Sequence, residues 1–207
     1  TIGVWVSLGL GWPGLLPVGA FFLLASAATK WKYEEKRRRG VAEPGGGARG
    51  AGRVLAKGSV GAALAVAGLF DAFDPALVRA GFVGAFAAAA ADTLGTEVGQ
   101  VLGRRPFTLL PPRSVAPGTP GAVSLQGTAA GAIGALVVGF AAGRILPLEW
   151  LLLAAAGGVA GSLVESAAEP LLRRAPHRGL VANLVTTASG AALAALLAAL
   201  VFGRSAP

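Results

Sequence analysis

The chain is written in long apolar runs with little alternation between them. Nearly unbroken hydrophobic stretches extend around residues 3–29, 54–73, 76–103, 122–146, 148–169 and 180–203. Each is near the ~20 residues that cross the hydrocarbon core of a bilayer as a helix. Backbone N–H and C=O groups cannot be left bare in hydrocarbon, and the period-two alternation of barrel strands is missing, so the runs predict helices. The expected fold is all-α, a polytopic membrane protein of about six transmembrane helices forming one transmembrane domain over residues 1–207. The first run is broken by GWPG at Gly11–Gly14 and the sequence opens at Thr1, so residues 1–10 read as the stub of a preceding helix, with N-terminal segments expected before it. No charged segment precedes the first run, and no cleavable signal pattern is read.

Composition agrees with lipid as the solvent: 54% of residues are hydrophobic and only 14% charged. Cysteine is absent, which excludes disulfides, thiolate metal ligands and a cysteine nucleophile. The net charge of +8 is unevenly spread. Residues 30–53 (KWKYEEKRRRGVAEPGGGARGAGR) hold eight of the 18 lysines and arginines, and the loops near Arg104 and Arg173 hold most of the rest, whereas the alternate loops have only Arg79 and Arg144. The positive-inside bias therefore predicts two basic cytoplasmic loops, 30–53 and a long proline-rich one at 104–121, with a third near Arg173. In a prokaryote the host would be the cytoplasmic membrane. The Lys30 cluster needs only topology and attraction to anionic lipid to explain it, and nucleic acid is a poor alternative. Its glycines, ending in Arg53, also suit a loop that holds phosphate, although no Walker pattern is present.

An offset of 69 residues sets KGSVGAALA, from Lys57, over QGTAAGAIG, from Gln126, and a looser copy begins at Asn183, which suggests a two-helix parallel repeat. Gly95, Gly99 and Gly103 form a small-residue stripe suited to close helix packing.

Carboxylates inside a membrane are costly and need a partner or a purpose. Asp92 and Glu97 lie in ADTLGTEVGQ, and Glu165 and Glu169 in GSLVESAAEP, all towards the ends of the basic loops. On an ideal helix Asp92 and Glu97 diverge by about 140°, which a bend at Gly95 would reduce. Ser162, Glu165, Ser166 and Glu169 recur on one face. Pairing with Lys57 or the loop arginines would make these carboxylates purely structural. Alternatively, Asp92, Glu97 and Glu165 supply hard oxygen ligands beside arginine-rich loops, a combination suited to Mg²⁺ bound with phosphate oxygens. His177 stands alone in a basic loop, and no Ser/His/Asp triad can be built.

Four stretches, ADTLGTEVG from Ala91, PGTPGAVSLQGTAAGAIGA from Pro117, GSLVES from Gly161, and KWKYEEKRRRG followed by GARGAGRVLAKG, resemble signatures of the integral-membrane family that includes plant phytyl phosphate kinase and human transmembrane protein 19. The third signature usually carries Asp where this chain has Glu165, and the glycine after it is replaced by Ala. The resemblance implies phosphoryl transfer from a nucleoside triphosphate, with CTP the expected donor, to a prenyl monophosphate within the membrane lipid, giving the diphosphate. Asp92, Glu97 and Lys57 are the expected catalytic residues. Asp92, Glu97 and Glu165 would bind Mg²⁺ and triphosphate, Arg49, Arg53, Lys57, Arg104 and Arg105 would clamp phosphate, and Thr119, Ser124, Gln126 and Asn183 would hydrogen-bond the substrates. A prenol kinase acting on the free alcohol, a lipid-phosphate transporter or flippase, and a purely structural membrane protein are the rival readings.

Overall fold

The central helix of the molecule begins where the sequence offers an N-cap followed by proline. Asp74 accepts hydrogen bonds from the backbone N–H groups of Ala76 (2.8 Å) and Leu77 (3.3 Å), and Pro75 needs no donor at the first helical position. In the computed structural model, which describes residues 2–44, 46–47, 51–70 and 73–202 and only the backbone of residues 51 and 53, that helix runs Pro75–Leu102 and is designated α5. Before it come α1 (Ile2–Leu10), α2 (Leu15–Lys30), the short α3 (Tyr33–Arg38) and α4 (Ala51–Ala67). After it come α6 (Leu125–Ala141), α7 (Leu148–Leu172) and α8 (Arg178–Phe202).

The all-α expectation holds, with altered boundaries. Four helical stretches, Trp12–Lys30, Pro75–Leu102, Leu148–Leu172 and Arg178–Phe202, are long and apolar enough to cross a membrane. The first predicted run is two helices, because Gly11 adopts a left-handed φ of 71° and a single 3₁₀ turn, Trp12–Gly14, separates α1 from α2. The runs predicted over 54–73 and 122–146 correspond to shorter helices of 17 residues each, α4 starting three residues before its run. Ser124, whose hydroxyl accepts from the Gly127 N–H, fixes the start of α6. At 1.5 Å per residue, 17 residues reach about 26 Å, short of a ~30 Å hydrocarbon core, while the 28 of α5 reach about 42 Å.

The long 104–121 segment is not structureless. Phe107–Thr108 (β1), Arg113–Ser114 (β2) and Ala122–Val123 (β3) form a small antiparallel sheet in the order β2-β1-β3, with Phe107 opposite both Ser114 and Val123. Strands of two residues carry no readable periodicity, which is why the sequence presents this region only as a loop.

The core sits around α5, which packs against α2, α4, α6, α7 and α8. Ala85 and Ala87–Ala90 are completely buried. Small side chains on α5 admit the glycines of its neighbours almost to backbone contact: a Cβ added to Gly158 of α7 would lie 2.5 Å from Ala87 Cβ and 2.8 Å from Ala88 N, and one on Gly131 of α6 would lie 2.6 Å from Ala91 O. Gly95 and Gly99 of the predicted stripe face Gly127, where an added Cβ would lie 2.7 Å from Gly95 O and 3.3 Å from Gly99 Cα. In lipid, where burying apolar surface between helices gives little driving force, such close approach supplies the packing energy. Phe86 packs against both Phe82 and Phe21, with ring centroids 5.1 Å and 6.0 Å away.

Gly158→Val should therefore destabilise the protein by about 3 kcal/mol through overpacking, whereas Gly19→Ala, at a position with nothing within 4 Å of the added atom, should leave it unchanged or slightly firmer. Thermal unfolding in detergent measures both; equal midpoints for the two variants would contradict this packing.

Candidate functional site

Three segments meet at the end of α5. Arg39, just after α3, donates through Nη1 to the carbonyl oxygens of Gln100 (2.8 Å) and Val101 (3.2 Å), two of the acceptors a helix C-terminus leaves unpaired. The segment between α5 and α6 folds across the same end through Gly118 and Gly121, whose φ values of 85° and 74° suit glycine. A Cβ would strike Val41 at the first and Glu169 at the second, both at 2.5 Å. The turn from α7 to α8 is tied down by an ion pair between Arg178 and buried Glu169. The predicted basic segments are thus packed against one another at one end of the bundle.

Beneath them lie two ion pairs anchored on α5. Lys57, reaching from α4, donates to Asp92 Oδ2 (2.5 Å) and Thr93 Oγ1 (2.8 Å). Its side chain is 9% exposed and that of Asp92 22%. Lys36 of α3 is fully buried and donates to Glu97 Oε2 (2.7 Å) and to the carbonyl oxygens of Ala28 (2.9 Å) and Thr29 (2.8 Å), while the Thr29 hydroxyl donates to Glu97 Oε1 (2.9 Å). The last turn of α2, the short α3 and α5 are joined through this one ammonium. A charge cluster ordinarily reads as a solvated face, so sequence reasoning passed over Lys36; the pair of consecutive carboxylates and cations around it gave no signal of burial.

A cavity of about 470 Å³ opens beside Asp92. Its wall includes Asp92 and Thr96 from α5, Thr119 and Ser124 from the α5–α6 segment, Glu165 from α7, and Asn183 from α8. Glu165 and Asn183 make no side-chain hydrogen bond or ion pair among the described residues, and Gln100, also in the wall, buries an Oε1 atom without a partner. A smaller space of about 150 Å³ adjoins it, bordered by Lys57, Glu97, Asp92 and Asn183, so that Asp92 and Asn183 stand between the two. Arg178 lines the larger cavity and was not singled out from the sequence, since its basic loop had been read as topology alone.

The expected site residues divide on this geometry. Asp92, Lys57, Asn183 and Glu165 come together. Thr119 and Ser124 join them at the cavity, though the Ser124 hydroxyl is engaged in capping α6 and that of Thr119 donates to the Ala116 carbonyl. Arg104, Arg105 and Gln126 stand elsewhere, because α5 continues about 15 Å past Asp92 before they are reached. The Gln126 side chain accepts from the Arg104 N–H (3.0 Å), both border a separate open groove with Arg39, and Arg105 is exposed with a left-handed φ of 48°. Arg49 lies outside the described residues, and for Arg53 only the α4 backbone is described. The expected metal set is not gathered: α5 is unbroken through Gly95, Glu97 faces Lys36, and no group of three Asp, Glu or His side chains close enough to hold a metal occurs among the described residues. Asp92 and Glu165 on one cavity do fit Mg²⁺ as it is held by one or two carboxylates, with phosphate oxygens and waters completing its octahedron.

These features define a polytopic α-helical membrane protein with a charged, polar cavity at one end. The chain belongs to the family described as integral membrane protein DUF92, whose model matches residues 1–168. It is 35% identical over 145 residues to the chloroplastic protein VTE6 of Arabidopsis thaliana, covering 67% of this chain and 44% of that one. It is 36% identical over 149 residues to the uncharacterized membrane protein sll0875 of Synechocystis, covering 70% and 58%. It is 30% identical over 193 residues to the uncharacterized membrane protein MJ0933 of Methanocaldococcus jannaschii, covering 90% and 77%. The matched region is about half the length of the first two relatives. No solved structure matches.

If Lys36 and Glu97 hold α2, α3 and α5 together, either Lys36→Met or Glu97→Gln alone should cost about 3 to 5 kcal/mol, since each strands a buried charge. The double variant should regain part of that loss. A double-mutant cycle on unfolding free energy reads the coupling, and strict additivity would refute a direct interaction.

Proposed function

We propose that this protein is a lipid-phosphate kinase, transferring the terminal phosphoryl group of a nucleoside triphosphate, with CTP the expected donor, to a prenyl monophosphate of the phytyl type. The observation that carries this reading is the Asp92–Lys57 pair beside a cavity that also holds Glu165 and Asn183, which have no side-chain partner among the described residues, at the end of the bundle where the basic segments pack together. The cavity has carboxylates for a metal and Arg178 for phosphate, Lys57 borders the adjoining space, and no His or Cys stands among the described residues of the wall.

The chemistry asks little else of the protein. The acceptor already bears an anionic phosphate oxygen, so no strong general base is required. That oxygen forms a bond to the terminal phosphorus while the bridging P–O bond of the donor breaks, and the nucleoside diphosphate leaves with the electron pair. Asp92 and Glu165 would hold Mg²⁺, which supplies charge neutralisation across the triphosphate oxygens. Lys57 and Arg178 would hold and neutralise phosphate oxygens, and Asn183 and Thr96 would orient them by hydrogen bonds. Glu97 serves the site at one remove by seating Lys36. The positive-inside rule favours this end of the bundle facing the cytosol, where nucleotide is available, with the prenyl chain left in the bilayer. The short α4 and α6 would set the polar cavity slightly below the membrane surface, at the depth of a lipid phosphate.

Purified protein incubated with prenyl monophosphate, Mg²⁺ and each nucleotide in turn should form prenyl diphosphate, fastest with CTP. Asp92→Asn should lower turnover by about 100- to 1000-fold without changing its elution or helical content. Failure of folded protein to make diphosphate with any nucleotide would overturn the kinase reading, and phosphorylation of the free alcohol in its place would make the protein a prenol kinase.

A further inference from the structure

We infer that Lys57 is a stand-in cation that closes Asp92 to a divalent metal until a phosphate ligand arrives, so that metal and nucleotide enter the site together. The inference rests on the phosphotransfer reading and deepens it by fixing how the site is loaded.

The ammonium of Lys57 lies 2.5 Å from Asp92 Oδ2 and already neutralises the carboxylate that a metal would need. Two of its three N–H donors are used, on Asp92 and on the Thr93 hydroxyl. A metal arriving alone must compete with this ion pair. If it succeeds, Lys57 is left almost fully buried with the Thr93 hydroxyl as its remaining hydrogen-bond partner among the described residues, beside a new double positive charge. Removing one member of a buried pair in this way is strongly unfavourable. Glu97 offers no relief, because Lys36 already neutralises it. Glu169, paired with Arg178, offers none either, and Glu43, which borders the same small space as Lys57, is not free.

A phosphate ligand changes the balance. Lys57 borders the 150 Å³ space that Asp92 and Asn183 separate from the larger cavity. A phosphate oxygen entering beside Asn183 gives the ammonium a second anion to pair with, and the Asp92 carboxylate is released towards the cavity that holds Glu165. Metal and phosphate thereby remove each other's obstacle, a positive coupling between two ligands that linkage makes reciprocal. Lys57 is consequently a gate on metal affinity as well as a phosphate contact, and these two roles give it opposite effects in one variant. Its loss weakens nucleotide binding and strengthens binding of the metal alone.

Equilibrium dialysis of the detergent-solubilised full chain against Mn²⁺, alone and with CTP or ATP and no lipid acceptor, separates these effects. Wild type should bind Mn²⁺ at least about tenfold more tightly with nucleotide than without. Lys57→Met should bind Mn²⁺ alone about tenfold more tightly than wild type and lose most of the nucleotide dependence. Lys57→Gln, which keeps a donor to Asp92 and Thr93, provides the same comparison if the methionine variant does not fold. Asp92→Asn should abolish Mn²⁺ binding under every condition. Equal Mn²⁺ affinity in wild type with and without nucleotide, or no gain for Mn²⁺ alone when Lys57 is neutralised, would overturn the gate while leaving the kinase reading intact. No Mn²⁺ bound by folded wild type even with nucleotide would instead overturn the kinase reading, and the gate with it.

Discussion

A carboxylate inside a helix bundle must be neutralised, and the arrangement of this protein follows from how Asp92 and Glu97 are neutralised on the same helix. They lie five residues apart on α5, so they face different neighbours. Asp92 turns to α4 and takes Lys57; Glu97 turns to α2 and α3 and takes Lys36. The first pair stands beside a cavity whose wall also holds Glu165 and Asn183, which have no side-chain partner among the described residues. The second is sheathed by backbone carbonyl oxygens and the Thr29 hydroxyl. Similar chemistry thus yields one pair that borders a cavity and one that binds protein segments to each other.

Close packing makes this division possible. The alanines of α5 and the glycines of α6, α7 and α8 bring backbones nearly into contact through the middle of the bundle. Towards the C-terminal end of α5 the residues change from alanine to Asp92, Thr93, Thr96, Glu97 and Gln100. The bundle opens there, and the gap is roofed by the segment carrying β1, β2 and β3. Gly118 and Gly121 let that roof come down onto Val41 and Glu169, so the three basic segments form one assembly. Backbone contact below and a pinned roof above hold the polar groups at fixed separations, as the proposed phosphoryl transfer would require.

Much of this was legible in the sequence, and the remainder failed for identifiable reasons. Run length gave the helical membrane fold, and charge alternation indicated which segments share an end. Asp92, Lys57, Glu165 and Asn183 were all named, because a charged or amide side chain in an apolar run is conspicuous. Gln126 was misplaced by the internal repeat: Lys57 is seventh in α4 and Asn183 sixth in α8, but Gln126 is only second in α6, where Ser124 starts the helix. It therefore sits nearly a turn and a half too shallow to reach Asp92. Lys36 was invisible because its burial comes from contact between α3 and α5, far apart in the chain, while its neighbours in sequence are exposed charges. The small sheet was invisible because its register is set by Phe107 pairing on both sides, a tertiary fact that strands of two residues cannot announce.

If the cavity beside Asp92 binds metal and nucleoside triphosphate together, as proposed, the two ligands must stabilise the folded protein against heat. A ligand that binds the folded state at about 100 times its dissociation constant stabilises it by about 2.7 kcal/mol. Mg²⁺ with CTP should therefore raise the melting temperature of the wild-type protein by several degrees and leave that of Asp92→Asn unmoved. An equal rise in both proteins, or none in either, would contradict a site built on Asp92.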